Sequence, residues 1–284
     1  MLLKGAEVAA ALTQNALQRA EKLIDEGITP TLAIVRLGER EDDISYERGA
    51  TKRCAQAKIE VKSYKLEQNT SQEQLLNVIK ELNIDKNIHG VLIMRPLPAH
   101  IEDAAVTAAL AAEKDVDGIT AGSMAAIYSD RGEGFAPCTA QACVEILKHY
   151  KIAMSGKRAV VIGRSLVIGK PVSQLLLKEN MTVTTCHSRS ENLAEICKTA
   201  DVLVAAAGKM GMVNADFVSE GQTVLDVGIH FNAEGKMCGD VKTDEVSDKV
   251  SAITPVPGGV GAVTTSVLAN HVIEAAYRQN KKEM

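Results

Sequence analysis

Tryptophan is absent from the 284 residues, and the few phenylalanines and tyrosines bring the aromatic share to only 3%. A chain so poor in flat rings offers little of the stacking surface that single-stranded nucleic acid needs. Positive charge is also short: 36 acidic residues against 32 basic ones leave a formal charge of -4. No broad cationic field is therefore available to draw nucleic acid or an anionic membrane, and any anion must meet a local site. No apolar run approaches the roughly 18 to 20 residues of a bilayer span. The opening stretch MLLKGAEVAAALTQNALQRAEKLIDEG reads as an amphipathic helix, not as a charged-then-apolar signal, so the expected compartment is the cytoplasm. Six cysteines (Cys54, Cys138, Cys143, Cys186, Cys197, Cys238) are scattered without a CxxC pair or a histidine at zinc-finger spacing. Neither a metal site nor a disulfide framework is expected, only idle thiols in a reducing compartment.

What is present is apolar matter in a regular rhythm. Hydrophobic residues make up 46% of the chain, enough for one large core or two modest ones. Short β-branched runs alternate with helical patterns: TLAIVRLG (31–38), a helix around 43–57, VKSYKL (61–66), a helix from Ser71, and GVLIM (90–94). A second series follows with RAVVIG (158–163), TVTTC (182–186), DVLVAAAG (201–208) and TVLDVGI (223–229), with helices between. The rhythm predicts two α/β units with parallel sheets, and the nearly unbroken apolar strands predict helices on both faces. The glycine-rich stretch 118–141 reads as the connection, followed by a helical stretch ACVEILKHY (142–150) that leads into the second unit, with a hinge near 138–150. The last helix, Thr264 to Arg278, is free to return to the first unit. The expected domains are residues 1–140 plus 265–284, and residues 141–264.

VVIGRSLVIGKP (160–171) places Gly163 at the end of a strand and Gly169 at the start of a helix, where an α/β sheet receives a dinucleotide pyrophosphate. The segment is not GxGxxG, and a turn that only changes chain direction would look similar. The next strand sharpens the reading. NAD enzymes usually end it with an acid that binds the ribose 2′-hydroxyl, whereas here it ends in Cys186, His187, Ser188 and Arg189. Arg164 and Arg189 could grip a 2′-phosphate, with Ser165 or Ser188 adding a hydroxyl, so NADP is preferred to NAD. The plain alternative is that both arginines are solvated charges at loop tips. Gly208, and Gly228 before Ile229, end later strands and would let backbone approach a flat ring, or simply turn the chain.

The ordered motifs DVDG (115–118), GRSLVIGKP (163–171), TVTTCHSRS (182–190), VLDVGI (224–229), GDV (239–241) and TPVPGGVG (254–261) resemble those of the methylenetetrahydrofolate dehydrogenase/cyclohydrolase family. The likeness runs over nearly the whole chain. It implies two α/β domains, a Rossmann-type C-terminal sheet for NADP and an N-terminal folate domain, with a cleft between them, in a cytoplasmic homodimer. It also implies a reaction on tetrahydrofolate derivatives. By the same resemblance Asp117 is the carboxylate that binds the pterin ring and Tyr46 stands beside the substrate, both as candidate catalytic residues. Pro257, Gly258 and Gly259 line the substrate site. The cofactor set is Gly163, Arg164, Ser165, Gly169, Ser188, Arg189, Gly208, Gly228 and Ile229. No metal is implied. On chemistry alone Asp115 and Asp117 could both be solvated loop acids, and the proline-glycine loop a structural turn.

Two positions depart from the family. Its YxxxK pair sets a lysine one helical turn after the tyrosine, but four residues after Tyr46 stands Ala50. Lys52, six residues on, is rotated about 120° away on an ideal helix. The family's glutamine before the PLP segment is Met94 here, and its neighbour Arg95 points to the other face of a strand. Dehydrogenation needs no protein base, whereas cyclohydrolysis needs a group that manages a proton. The expectation is a working dehydrogenase with weak or absent cyclohydrolase. The alternatives are a fully bifunctional enzyme using another group, or a regulatory protein that binds NADP and folate without chemistry.

Overall fold

The computed structural model describes residues 1–129 and 131–280. Two compact units divide the chain: one combines Ala10–Cys138 with the chain from Thr265 onward, the other Met1–Ala9 with Thr139–Thr264.

The first unit is built on a three-stranded parallel sheet of order β2-β1-β3, from β1 (Thr31–Leu37), β2 (Glu60–Leu66) and β3 (Gly90–Ile93). Its helices are α2 (Glu41–Gln56), α3 (Gln72–Ile84), α4 (Asp103–Ala109) and α5 (Ala121–Ser129), with most of α1 (Gly5–Asp25) and of α10 (Thr264–Asn280). β1 is central and buried at all seven positions, as its sequence TLAIVRL requires. Side chains alternate across the sheet. Ala33, Val35 and Leu37 join Val91 and Ile93 in a core with Leu75, Ile79 and Leu82 of α3. Arg36 and Met94 therefore look to the opposite face. α3 starts at a capping box, where Ser71 Oγ accepts from Gln74 N and the Gln74 side chain accepts from Ser71 N.

The second unit carries a five-stranded parallel sheet of order β10-β7-β6-β4-β5. Its strands are β4 (Arg158–Ile162), β5 (Thr182–Cys186), β6 (Val202–Ala205), β7 (Thr223–Asp226) and β10 (Ala252–Ile253). Helices α6 (Cys138–His149), α7 (Gly169–Lys178), α8 (Leu193–Lys198) and α9 (Thr243–Val246), with a small β8–β9 hairpin (His230–Phe231, Met237–Cys238), complete it.

Four expectations change. Residues 1–9 belong to the second unit because Leu2 bridges Ile253 and Leu3 N donates to Ile253 O at 2.8 Å, extending the β10 edge. The stretch 118–141 is not plain linker: its small residues form α5, started by Asp115 and by Thr120 Oγ1, which accepts from Ser123 N at 3.1 Å. The hinge expected near 138–150 falls on one unbroken helix, α6, which contains the helical stretch read there from the sequence. Finally, β5 is an edge strand with exposed Thr182, Thr184 and Thr185, so helix cover on both faces holds for β4, β6 and β7 but not for it.

Candidate active site

In the first unit the DVDG segment runs alongside β3, with Asp115 bridged in parallel to Val91. The pairing is a single bridge: the chain turns at once, with Gly118 N donating to Asp115 O at 3.3 Å, and Asp117 sits in that turn. The two aspartates separate in role. Asp115 is fully buried and saturated: Oδ1 accepts from Ile119 N (3.0 Å), and Oδ2 from Thr120 N (2.7 Å) and Ser123 Oγ (2.7 Å). It folds the turn. Gly118 (φ 69°) has no room for a side chain, since an added Cβ would lie 2.5 Å from Pro137 N. Asp117 is half-buried and its pKa is pushed up to about 6. Enclosure is the largest cause; a hydrogen bond from the Cys138 thiol and the charge of Arg95 pull it down, while Asp115 pushes it up.

α2 rises just after β1 and buries Asp43, Glu47, Ala50 and Cys54 along one face. Glu47 Oε2 meets Arg36 Nε at 2.9 Å, an ion pair with little solvent access, and Arg36 also donates to the Gly38 carbonyl. Tyr46 is half-buried. Ala50 has no exposed surface, whereas Lys52 is exposed, in line with the rotation expected from the helix repeat. Met94 is buried and bonds through its amide to Val35 O at 2.9 Å. Arg95 does not take its place: it is exposed and pairs with Asp103.

In the second unit Gly163 and Gly169 pinch the base of the loop after β4. A Cβ on Gly163 (φ 133°) would lie 2.2 Å from Ala206 O, and one on Gly169 2.2 Å from Gly163 O. The loop between them is thrown outward, with Arg164, Ser165, Leu166 and Val167 exposed. Ser165 Oγ is already engaged, accepting from Ile168 N (3.1 Å) and Gly169 N (3.5 Å) at the start of α7. β5 lies beside β4, and Gly163 N donates to Cys186 O at 2.9 Å, so the turn 187–190 emerges next to Arg164. His187 serves that turn: its Nδ1 accepts from Arg189 N at 3.2 Å, while Ser190 Oγ accepts from His187 N at 3.0 Å. Ser188 and Arg189 are left exposed. Two arginines and a hydroxyl at the carboxyl ends of neighbouring strands, with no carboxylate over 187–190, suit a phosphate on the adenosine side of a dinucleotide.

Asp226 and Asp240 organise the remaining strand ends, and sequence reasoning did not single them out as residues. Asp226 Oδ1 accepts from Gly228 N (3.0 Å) and Asp240 N (2.9 Å), and Oδ2 from Val241 N (3.0 Å). Burial pushes its carboxyl up to about 6; the three amides pull it down and Asp240 pushes it up. Asp240, fully buried, accepts from Gly208 N (2.9 Å) and lies 2.8 Å from His230 Nε2. The available signal was an aspartate ending an apolar strand in VLD and another before a valine in GDV. Gly228 is demanded internally, because a Cβ there would lie 2.5 Å from Asp240 N. Gly208 (φ 66°) faces open space and Ile229 is exposed. In the TPVPGG loop Pro257 and Gly258 are exposed and Gly259 is buried, with Gly258 O accepting from Gly5 N at 2.8 Å.

The chain matches the tetrahydrofolate dehydrogenase/cyclohydrolase catalytic domain over residues 3–117 and the NAD(P)-binding domain of the same family over residues 137–280. The bifunctional protein FolD of Clostridioides difficile is 48% identical over 281 residues, covering 99% of this chain and 98% of that protein. The crystal structure of the bifunctional enzyme FolD, methylenetetrahydrofolate dehydrogenase/cyclohydrolase, from Campylobacter jejuni aligns at TM-score 0.95 and 35% identity, covering 98% and 99% of the two chains. The Trypanosoma brucei N5,N10-methylenetetrahydrofolate dehydrogenase-cyclohydrolase, complexed with NADP cofactor and inhibitor, aligns at TM-score 0.92 and 32% identity, covering 99% and 98%.

Proposed function

Because the chain belongs to the tetrahydrofolate dehydrogenase/cyclohydrolase family, we propose that it is an NADP-dependent dehydrogenase that oxidises 5,10-methylenetetrahydrofolate to 5,10-methenyltetrahydrofolate and hydrolyses that product weakly or not at all. The working form is a cytoplasmic homodimer. The observation that carries the cofactor choice is the exposed Arg164, Ser188 and Arg189 at the ends of β4 and β5. A carboxylate in that turn would repel a 2′-phosphate, and none is there.

Bound NADP supplies the hydride acceptor. The folate's own nitrogen lone pair drives hydride off the bridging carbon, so the chain's task is to bind, orient and exclude water. Asp117, ionised above about pH 6, accepts from the donors of the pterin ring. Tyr46 packs beside the substrate, and Pro257, Gly258 and Gly259 give it a stiff backbone wall. Gly163 and Gly169 bring the loop base close to the pyrophosphate. Arg164 and Arg189, with Ser188, hold the 2′-phosphate; Gly208, Gly228 and Ile229 line the nicotinamide side.

Hydrolysis differs because water must add to the methenyl carbon and a proton must be handled. The side chain one turn after Tyr46 that would do so is a buried methyl, Ala50, and where the family has its glutamine this chain has the buried thioether of Met94. Initial rates of NADP and NAD reduction with methylenetetrahydrofolate test the first half. NADP is expected to win by at least tenfold in kcat/KM; equal rates would remove the 2′-phosphate assignment, and no reduction of either would remove the dehydrogenase.

A further inference from the structure

We propose that His230, at the start of β8, is a positioning residue for the nicotinamide end of the cofactor: it holds the Asp240 carboxylate in the orientation that also pins the Gly208 amide. This rests on the nicotinamide lying against Gly208, Gly228 and Ile229, as in the proposed function. His230 Nε2 is 2.8 Å from Asp240 Oδ1, and Gly208 N donates to Asp240 Oδ2 at 2.9 Å. Two bare acceptors do not approach so closely, so a hydrogen lies between ring and carboxylate, and beside a carboxylate its owner is Nε2. The hairpin supplies the reach, because His230 pairs across it with Cys238, two residues before Asp240. The Asp240 backbone is fixed from both sides: its amide donates to Asp226 Oδ1 at 2.9 Å and its carbonyl accepts from Val213 N at 2.9 Å. Gly228 closes a third side, since a Cβ on it would lie 2.5 Å from both Asp240 N and Oδ1. What is left to set is the rotation of the buried carboxylate, and two donors set it together. One is the Gly208 backbone; the other is the His230 side chain.

Gly208 depends on that carboxylate. It stands in the loop after β6 at φ 66°, exposed, with open space where a Cβ would lie. Lys209 and Met210 beyond it are exposed as well. The loop leaves the sheet at Ala206, whose amide donates to Ile162 O at 2.9 Å, and is tied down again at Gly211, whose amide donates to Gly239 O at 3.1 Å. Between those two ties, the Asp240 carboxylate holds Gly208. A flat ring laid against this glycine is placed for hydride transfer only as well as the backbone beneath it is placed. The His230 side chain is 22% exposed and acts on the ring through Asp240 and Gly208.

The test compares calorimetric binding of NADP with that of 2′-phospho-ADP-ribose, which is NADP without its nicotinamide, and adds kcat for methylenetetrahydrofolate oxidation. His230→Phe keeps a ring but has no nitrogen to offer Asp240. It is expected to weaken NADP binding about five- to tenfold and to lower kcat by a similar factor. Binding of 2′-phospho-ADP-ribose should stay within about twofold of wild type, which also shows that the unit is folded. His230→Ala should repeat this split. His230→Gln, whose amide nitrogen reaches about as far as Nε2, should restore both NADP affinity and kcat, a recovery that lost packing alone would not give. Wild-type NADP binding and kcat in His230→Phe, equal losses for NADP and the fragment, or no recovery in His230→Gln overturns the proposal. Gly208→Ala separates the two ideas, because its methyl would enter the open space in front of the loop. If it binds NADP and turns over as wild type does, the placing of the nicotinamide has failed. If it loses NADP while His230→Phe behaves as wild type, only the role of His230 has failed.

Discussion

At Asp115 and Asp117 two carboxylates two residues apart meet different surroundings. The first has three donors and no solvent; the second has Cys138, through thiol and amide, and an open side. The sequence offered both as loop acids, and nothing in DVDG says which one the Ile119 and Thr120 amides will claim, because that depends on how the turn closes against Phe135–Pro137. The arginines were more legible. An acid missing from the end of β5 is a one-letter observation with a direct electrostatic meaning. Arg189→Ala and Arg164→Ala are each expected to raise KM for NADP about ten- to a hundredfold, the loss of a charge-assisted hydrogen bond, and to leave KM for NAD within about twofold. Steady-state kinetics with both cofactors decides it; a parallel loss for NAD would mean that the arginines hold the pyrophosphate or the fold instead.

The element on which the proposed loss of hydrolysis turns is α2. Its buried face is set by the spacing Asp43, Glu47, Ala50, Cys54, and the exposed Lys52 falls off it. Lys52→Ala is therefore expected to leave both dehydrogenation and methenyl decay within about twofold of wild type, as surface substitutions usually do. The pair Ala50→Lys with Met94→Gln is expected to raise enzyme-dependent methenyl decay, followed by loss of methenyl absorbance at a pH where spontaneous decay is slow. If decay vanished in Lys52→Ala alone, the helix geometry argued here would be wrong. Element boundaries followed from composition wherever strands were apolar and flanked by turn residues, as in β1, β4 and β7. α5 was hidden because AGSMAAIYS carries glycine and serine, and its start depends on a carboxylate six residues upstream. The place of β5 at a sheet edge was equally hidden: strand order follows from long-range pairing, which TVTTC does not state, although its threonines are what an exposed edge tolerates.

Across the whole molecule, four shifted groups titrate in opposition. His89 and His271 stand at about 4 in the fold against an ordinary 6.5, both mainly through enclosure. Asp117 and Asp226 stand at about 6 against 3.8. As pH falls from 6.5 toward 4 the unfolded chain takes up the histidine protons first, which costs stability; from 6 toward 4 the fold takes up the aspartate protons first, which restores it. The two slopes offset each other, so stability should change little over this window. Removing one histidine exposes the imbalance: His89→Gln, which keeps an acceptor for Thr31 N, should gain stability relative to wild type as pH falls from 6.5 to 4, by up to about 1.4 kcal/mol per pH unit. Urea unfolding at several pH values measures it, and parallel curves for the two proteins would refute it.

The division into two parallel α/β units was readable from the alternation of strands and helices, whereas the transfer of residues 1–9 to the second unit was not, because a single bridge to Ile253 leaves no periodic trace. The central claim is that this chain makes the methenyl product and does not consume it. The most direct test is to follow NADPH and methenyltetrahydrofolate together in one reaction started from methylenetetrahydrofolate and NADP. Equal accumulation of the two, with methenyl then decaying at the rate of buffer alone, is the predicted result. NADPH formed while methenyl disappears in proportion to enzyme would contradict it.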